Sequence, residues 1–172
     1  MNRKTFQKPI LTLEDNQVFV FGSNLQGFHG AGSAGFASFG ELYMTNPWRK
    51  YKYDEKPDGW KGRWNVKGVG DGFQEGMFGK SYALPTVTKP GHKRSRSKEE
   101  IKISIKKLYD YARWHPEWDF LIAYCGKSLR PLNGYSNQEL SFLFQTADIQ
   151  NGIPNNIIFE EEFSSLVFSE RS

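Results

Sequence analysis

The chain has 172 residues, a formal charge of +4 and one cysteine, Cys125. That length suits a single domain that buries a core without disulfides or metals, and a lone cysteine makes no internal disulfide, which points to a reducing, cytoplasmic compartment. Met1 to Pro9 is polar and basic, unlike a signal peptide, and no run approaches the ~20 apolar residues of a membrane span, so no membrane partner is expected.

In chain order, Gln17 to Phe21 is β-branched and aromatic and ends at Gly22-Ser23-Asn24, the pattern of a buried strand. Ala31 to Met44 follows, with Phe36, Phe39 and Tyr43 at helical spacing, so the order is strand, Gly-rich loop, helix. Thr45 to Val66 has no period and carries Trp48, Trp60 and Trp64 among basic residues. It reads as an insertion or long loop over about 45–67. Interleaved Trp and Lys/Arg form either aromatic anchors for that loop or a stacking surface for nucleic acid. Gly68 to Gly79 reads as a second Gly-rich loop and Ser81 to Val87 as a short strand.

Lys89, Lys93, Arg94, Arg96 and Lys98 crowd the next turn, a patch suited to an anionic partner or to plain solvation. Ser97 and Glu100 predict a capping box, and Ile101, Ile105, Leu108 and Ala112 give the following helix one apolar face, ending near Pro116. Trp118 to Tyr124 reads as a strand that stops at Cys125-Gly126. Ser136 and Glu139 predict a second capping box, before a helix with Leu140, Leu143 and Ala147 on its apolar face. Asn156 to Phe159 reads as a last strand, and Phe163 to Phe168 as a packed tail. Strands alternating with helices predict one α/β domain over 1–172, with a mostly parallel mixed sheet between helices in a three-layer sandwich.

In such sheets ligands collect at the carboxyl ends of the strands. Glycines there let the backbone approach a ligand, and a helix N-terminus offers aligned N–H donors to phosphate. No Gly-x-x-x-x-Gly-Lys-Ser/Thr is present, no Gly-x-Gly-x-x-Gly directly follows the first strand, and no His/Cys set has metal-ligand spacing. Neither a metal nor a cofactor is expected. Of the three histidines only His29 lies in a candidate site.

The run Val18-Phe19-Val20-Phe21-Gly22-Ser23-Asn24-Leu25 to His29-Gly30-Ala31-Gly32-Ser33-Ala34 resembles the ligand loop of macrodomain-like proteins. More narrowly, it is similar to a phage- and bacteria-associated family of macrodomain relatives. Gly68 to Gln74, Ser81-Tyr82-Ala83-Leu84-Pro85-Thr86, Cys125-Gly126 and Gly134-Tyr135 match that family's later motifs in order. The resemblance covers most of the chain except 45–66. It implies a macrodomain-like fold that binds ADP-ribose or a related phosphate-containing nucleotide, and some macrodomains hydrolyse ADP-ribosyl linkages.

On that resemblance Asn24 matches the residue that contacts the distal ribose, and the diphosphate lies between Gly30 to Ser33 and Gly126 to Tyr135. The implied ligand-binding set is Gly22, Ser23, Asn24, Gly30, Ala31, Gly32, Ser33, Gly70, Gly72, Gln74, Gly126, Lys127, Gly134 and Tyr135. The adenine-contacting Asp of many macrodomains has its nearest candidate in Asp15. Turnover would need a group to position or deprotonate water, for which Asn24, His29, Asp71 and Glu75 are the catalytic candidates. Two other readings stay open: a nucleotide sensor without turnover, and a nucleic-acid binder using the Trp- and Lys/Arg-rich segment.

Overall fold

A computed structural model describes residues 3–7, 10, 13–27, 70–76, 79–89, 91–123 and 133–169. The expected helix at 31–44, the excursion at 45–66 and the Cys125 loop lie outside the described residues. In chain order the elements are β1 (Thr5–Phe6), β2 (Gln17–Asn24), β3 (Gly72–Gly76), β4 (Gly79–Val87), α1 (Lys98–Trp114), β5 (Asp119–Ala123), α2 (Asn137–Thr146), β6 (Ile157–Glu160) and α3 (Glu161–Val167). No helix among the described residues is long and apolar enough to cross a membrane.

The strands form one six-stranded sheet in the order β1-β6-β5-β2-β4-β3. All neighbours are parallel except β3, which runs antiparallel to β4. The expectation of an α/β fold with a mostly parallel mixed sheet therefore holds. β2 sits centrally, and Val18 to Phe21 are buried on both faces, which is why that stretch reads as a continuous apolar run rather than an alternation. One face carries Val18, Val20, Tyr82, Leu84, Phe120 and Ile122 under the apolar stripes of α1, α2 and α3. The other carries Phe19, Phe21 and Ala83 with Ile10, Leu13 and Ala123.

Both predicted capping boxes form, with Ser97 and Glu100 at the start of α1 and Ser136 and Glu139 at the start of α2. Each serine oxygen accepts from the backbone N–H three residues on, and each glutamate accepts from the serine N–H. The helices are locked together deeper in. The Tyr109 hydroxyl donates to the Phe144 carbonyl at 2.6 Å, taking up one of the carbonyls left over in the last turns of α2. Burial pushes that phenol well above its ordinary pKa, so it stays a donor.

Three segments differ from expectation. The stretch 72–76, read as part of a Gly-rich loop, is strand β3. Its Phe73 stacks on Tyr111 and Trp118, with ring centroids 5.7 and 5.2 Å apart, so aromatic packing overrides glycine's poor strand propensity. β4 begins at Gly79, two residues earlier than expected, because it pairs with that strand. The tail at 163–168 is mostly helix α3, which buries Phe163 and Val167.

Candidate functional site

β2 is followed on one side by β4 and, after a crossover through α1, on its other side by β5. The strand order thus reverses at β2, and the carboxyl ends of β2 and β5 border the crevice where open α/β sheets bind ligands.

The end of β2 is irregular there. Ser23 pairs with Pro85 but Asn24 pairs with Val87, leaving Thr86 as an extra residue. Pro85 has no N–H to give the ladder, and a bulge is one of the few places where a sheet tolerates proline. The Pro85 carbonyl accepts from Arg96 Nη1 at 2.6 Å, and the same guanidinium donates to Ser104 Oγ at 2.8 Å, fastening the end of β4 to α1. Past the bulge the chain turns: the Leu25 N–H donates to the Val87 carbonyl at 3.2 Å and the Gly27 N–H to the Asn24 carbonyl at 3.0 Å.

Gly22, in the middle of this central strand, is solvent-exposed, whereas Ser23 and Asn24 beside it are buried. Gly22 lines a cavity of about 40 Å³ over the carboxyl ends of β2, β4 and β5, on the face covered by α1 and α2. Gly22, Leu84 and Ile122 lie along the strand ends, Ile101 and Leu140 come from the helices, and Thr86 and Asn133 are its polar members among the described residues. None of these lining residues is charged.

Of the residues singled out by sequence, the structure brings Gly22, Ser23, Asn24 and Gly70 together. The Ser23 hydroxyl donates to the Gly70 carbonyl, and a Cβ on Gly70 would fall 1.9 Å from the Asn24 carbonyl oxygen, so this glycine is required by close backbone contact. Asp71 follows, exposed and paired with Lys107 of α1 at 3.2 Å. Gly72, at φ +103°, opens β3. Gln74 lies opposite Ser81, and Glu75 opposite Lys80.

Lys80 also pairs with Val18, whereas Asn24 pairs with Val87. Glu75 is therefore seven β4 residues from the level of Asn24, roughly 20 Å along the strands, and the structure does not bring the two together. Asp15 precedes the amino end of β2, where its carbonyl accepts from Lys80 Nζ at 2.5 Å, away from the crevice. Gly134, at φ +84°, packs against Lys93 and Arg94. Tyr135 is buried, donates its hydroxyl to the Arg96 carbonyl at 2.6 Å and carries the Arg94 guanidinium 4.7 Å over its ring. Its ring is core rather than an open stacking platform. His29, Gly30, Ala31, Gly32, Ser33, Gly126 and Lys127 lie outside the described residues.

Much of the basic turn is also engaged internally. Arg94 donates to the Gly134 carbonyl at 2.9 Å and pairs with Glu139 at 3.0 Å, and Lys98 pairs with the same carboxylate at 3.1 Å. The hydrogen bond from Lys98, joined by that of the Ser136 N–H and by the nearby Arg94 charge, holds the Glu139 carboxyl below its ordinary pKa. Sequence reasoning missed Asn133 and, as a lining residue, Thr86. The signal for Asn133 was its Asn-Gly turn directly before a capping box.

No protein-family description, curated protein or solved structure matches the chain.

Proposed function

We propose that this chain is a macrodomain-like three-layer α/β protein that binds a phosphate-containing nucleotide of the ADP-ribose kind at the carboxyl ends of β2 and β5. The observation that carries the reading is the cavity at the point where strand order reverses, with Gly22 in its lining. The macrodomain resemblance assigns the ligand to the same loop. The basic turn before α1 lies near this end of the sheet, with Arg96 bonded to the Pro85 carbonyl and Arg94 and Lys98 paired with Glu139 at the start of α2.

Binding is supported better than turnover. Hydrolysis of an ADP-ribosyl linkage needs a base or a water-orienting group beside the scissile bond. Asp71 is tied to Lys107 and Glu75 stands at the other end of the strands, so neither supports that role.

A thermal-shift and calorimetric panel of ADP-ribose, NAD, AMP and a short oligonucleotide tests the reading. A ligand of the folded state at about 100 times its Kd adds about 2.7 kcal/mol, or roughly 5–10 °C in Tm for a chain of this size. Selective stabilisation by ADP-ribose, weakened about tenfold by Asn24→Ala, is the expected result. Stabilisation by the oligonucleotide alone, steeply salt-dependent, would move the function to a basic surface.

A further inference from the structure

From Gly76 to Lys98 the chain has no carboxylate, and Lys89, Lys93, Arg94, Arg96 and Lys98 fall within the last ten of those residues. The whole chain has a formal charge of only +4, so the remaining residues together are slightly acidic. Crowding five cations into one connection costs self-repulsion, and the fold accounts for only some of them.

Two successive tight turns shape the segment. The His92 N–H donates to the Lys89 carbonyl and the Ser95 N–H to the His92 carbonyl, both at 3.2 Å. Gly91, at φ +77°, and Arg94, at φ +54°, take the left-handed conformation in these turns. The Thr88 N–H donates to Ser95 Oγ at 2.8 Å and closes the loop. Glycine would fit position 94 with less strain, and the arginine side chain explains why it is there. It lies over the Tyr135 ring, donates to the Gly134 carbonyl and pairs with Glu139. Arg96 is bound to the Pro85 carbonyl and Ser104, and Lys98 shares Glu139. These three cations fasten the turn to the body of the protein.

Lys89, His92 and Lys93 do not. All three are exposed, and none has a side-chain partner among the described residues. The stem of Lys93 is nevertheless held close to the 133–134 turn, since a Cβ on Gly134 would fall 2.9 Å from its own Cβ. The carboxylates that follow are already taken: Glu99 pairs with Lys102 and Glu100 accepts from the Ser97 N–H. None of the three lines the cavity over Gly22. A fastened turn thus presents two lysines and an imidazole without a countercharge.

Charge set on an exposed turn, outside any pocket, suits a partner that repeats its phosphates along a surface. Single strands are held largely by bases stacking on aromatic side chains. Tyr135, the ring against this turn, is buried beneath Arg94 and offers no such platform. A double helix can be met through its backbone alone.

We infer that the turn over 89–95 docks on the phosphate backbone of duplex DNA, with Lys89, His92 and Lys93 meeting phosphates while Arg94 and Arg96 hold the turn in place. The inference rests on this turn and not on the nucleotide reading above.

Fluorescence anisotropy of the full chain with a labelled DNA duplex of about 20 base pairs, over a series of salt concentrations, tests it. A double variant, Lys89→Gln with Lys93→Gln, removes the two free cations. A second, Lys4→Gln with Lys106→Gln, removes the same charge elsewhere, and Lys89→Arg with Lys93→Arg keeps it in place. The expected result is duplex binding whose log–log salt slope falls by about two in the first variant, with affinity at least about tenfold lower and Tm unchanged. The second variant and the arginine variant keep the wild-type slope. Duplex binding of wild-type strength in the first variant places DNA on another surface and overturns the proposal, as does an equal loss in the second variant or no duplex binding at low salt. Tighter binding of the matching single strand, or of polyglutamate, overturns the assignment to a double helix.

Discussion

Gly70 and Gly22 are both glycines near the candidate site, but they answer to different physics. A Cβ on Gly70 would meet the Asn24 carbonyl oxygen at 1.9 Å and Leu25 Cα at 2.9 Å, both backbone atoms that cannot swing aside like a side-chain tip. Gly70→Ala must therefore displace either the end of β2 or the approach to β3, breaking the hydrogen bond between Ser23 and the Gly70 carbonyl. It should cost about 1–3 kcal/mol, the usual range for overpacking. Gly22→Ala meets no such contact among the described residues and removes unfolded-state freedom, so it should leave stability unchanged or raise it by about 0.4–1 kcal/mol. Urea unfolding of the two variants beside wild type checks both signs. If Gly70→Ala is as stable as wild type, the contact between residues 70 and 24 does not hold the site together.

The two helices that cover the site begin with the same device, but α2 adds charge to it. Glu139 closes the capping box with Ser136 and also accepts Lys98 at 3.1 Å and Arg94 at 3.0 Å, so one carboxylate ties the basic turn before α1 to the start of α2. Its folded pKa lies below the ordinary value, chiefly through the hydrogen bond from Lys98. A carboxyl of that kind binds fewer protons folded than unfolded. Its stabilisation is complete above the unfolded value of about 4.3 and is lost as pH falls through the lower folded value. Wild type should therefore exceed Glu139→Gln in Tm at pH 7, with the gap closing below about pH 4.3. A gap constant from pH 7 to pH 3 would show that the charge contributes nothing beyond the cap. These helices were legible because Ser-x-x-Glu and a 3.6-residue apolar period are local signals. β1, β3 and α3 were not. β1 is two residues long and exists only by pairing with β6. β3 is strand because β4 supplies its partners and Phe73 finds Tyr111 and Trp118. α3 is capped by Glu160, outside the usual capping residues.

At the scale of the whole molecule, one topological feature made part of the site readable and hid the rest. The run from Val18 to Asn24 marks the central strand and its end, because a strand buried on both faces is apolar throughout and Gly-Ser-Asn breaks that run. Asn133 and Thr86 could not be placed this way, since the cavity exists only once β2, β4, β5, α1 and α2 have assembled. The same arrangement predicts a gradient of local stability. β2 is paired on both sides from Val18 to Phe21, with β4 and β5, and these four residues are at most 3% exposed. Exposing their amides requires parting the sheet from both neighbours and from the layer of α1 and α2, which is global unfolding. Thr5 and Phe6 of β1, at the far edge, need only let go of β6. Native-state hydrogen exchange should thus return the full unfolding free energy at Val20 and Phe21 and a markedly smaller one at Thr5 and Phe6. Exchange at Val20 through a cheaper opening than that of Leu108 in α1 would mean that the sheet parts at β2 before the helices leave it, and the crevice beside β5 would then be a hinge rather than a rigid frame.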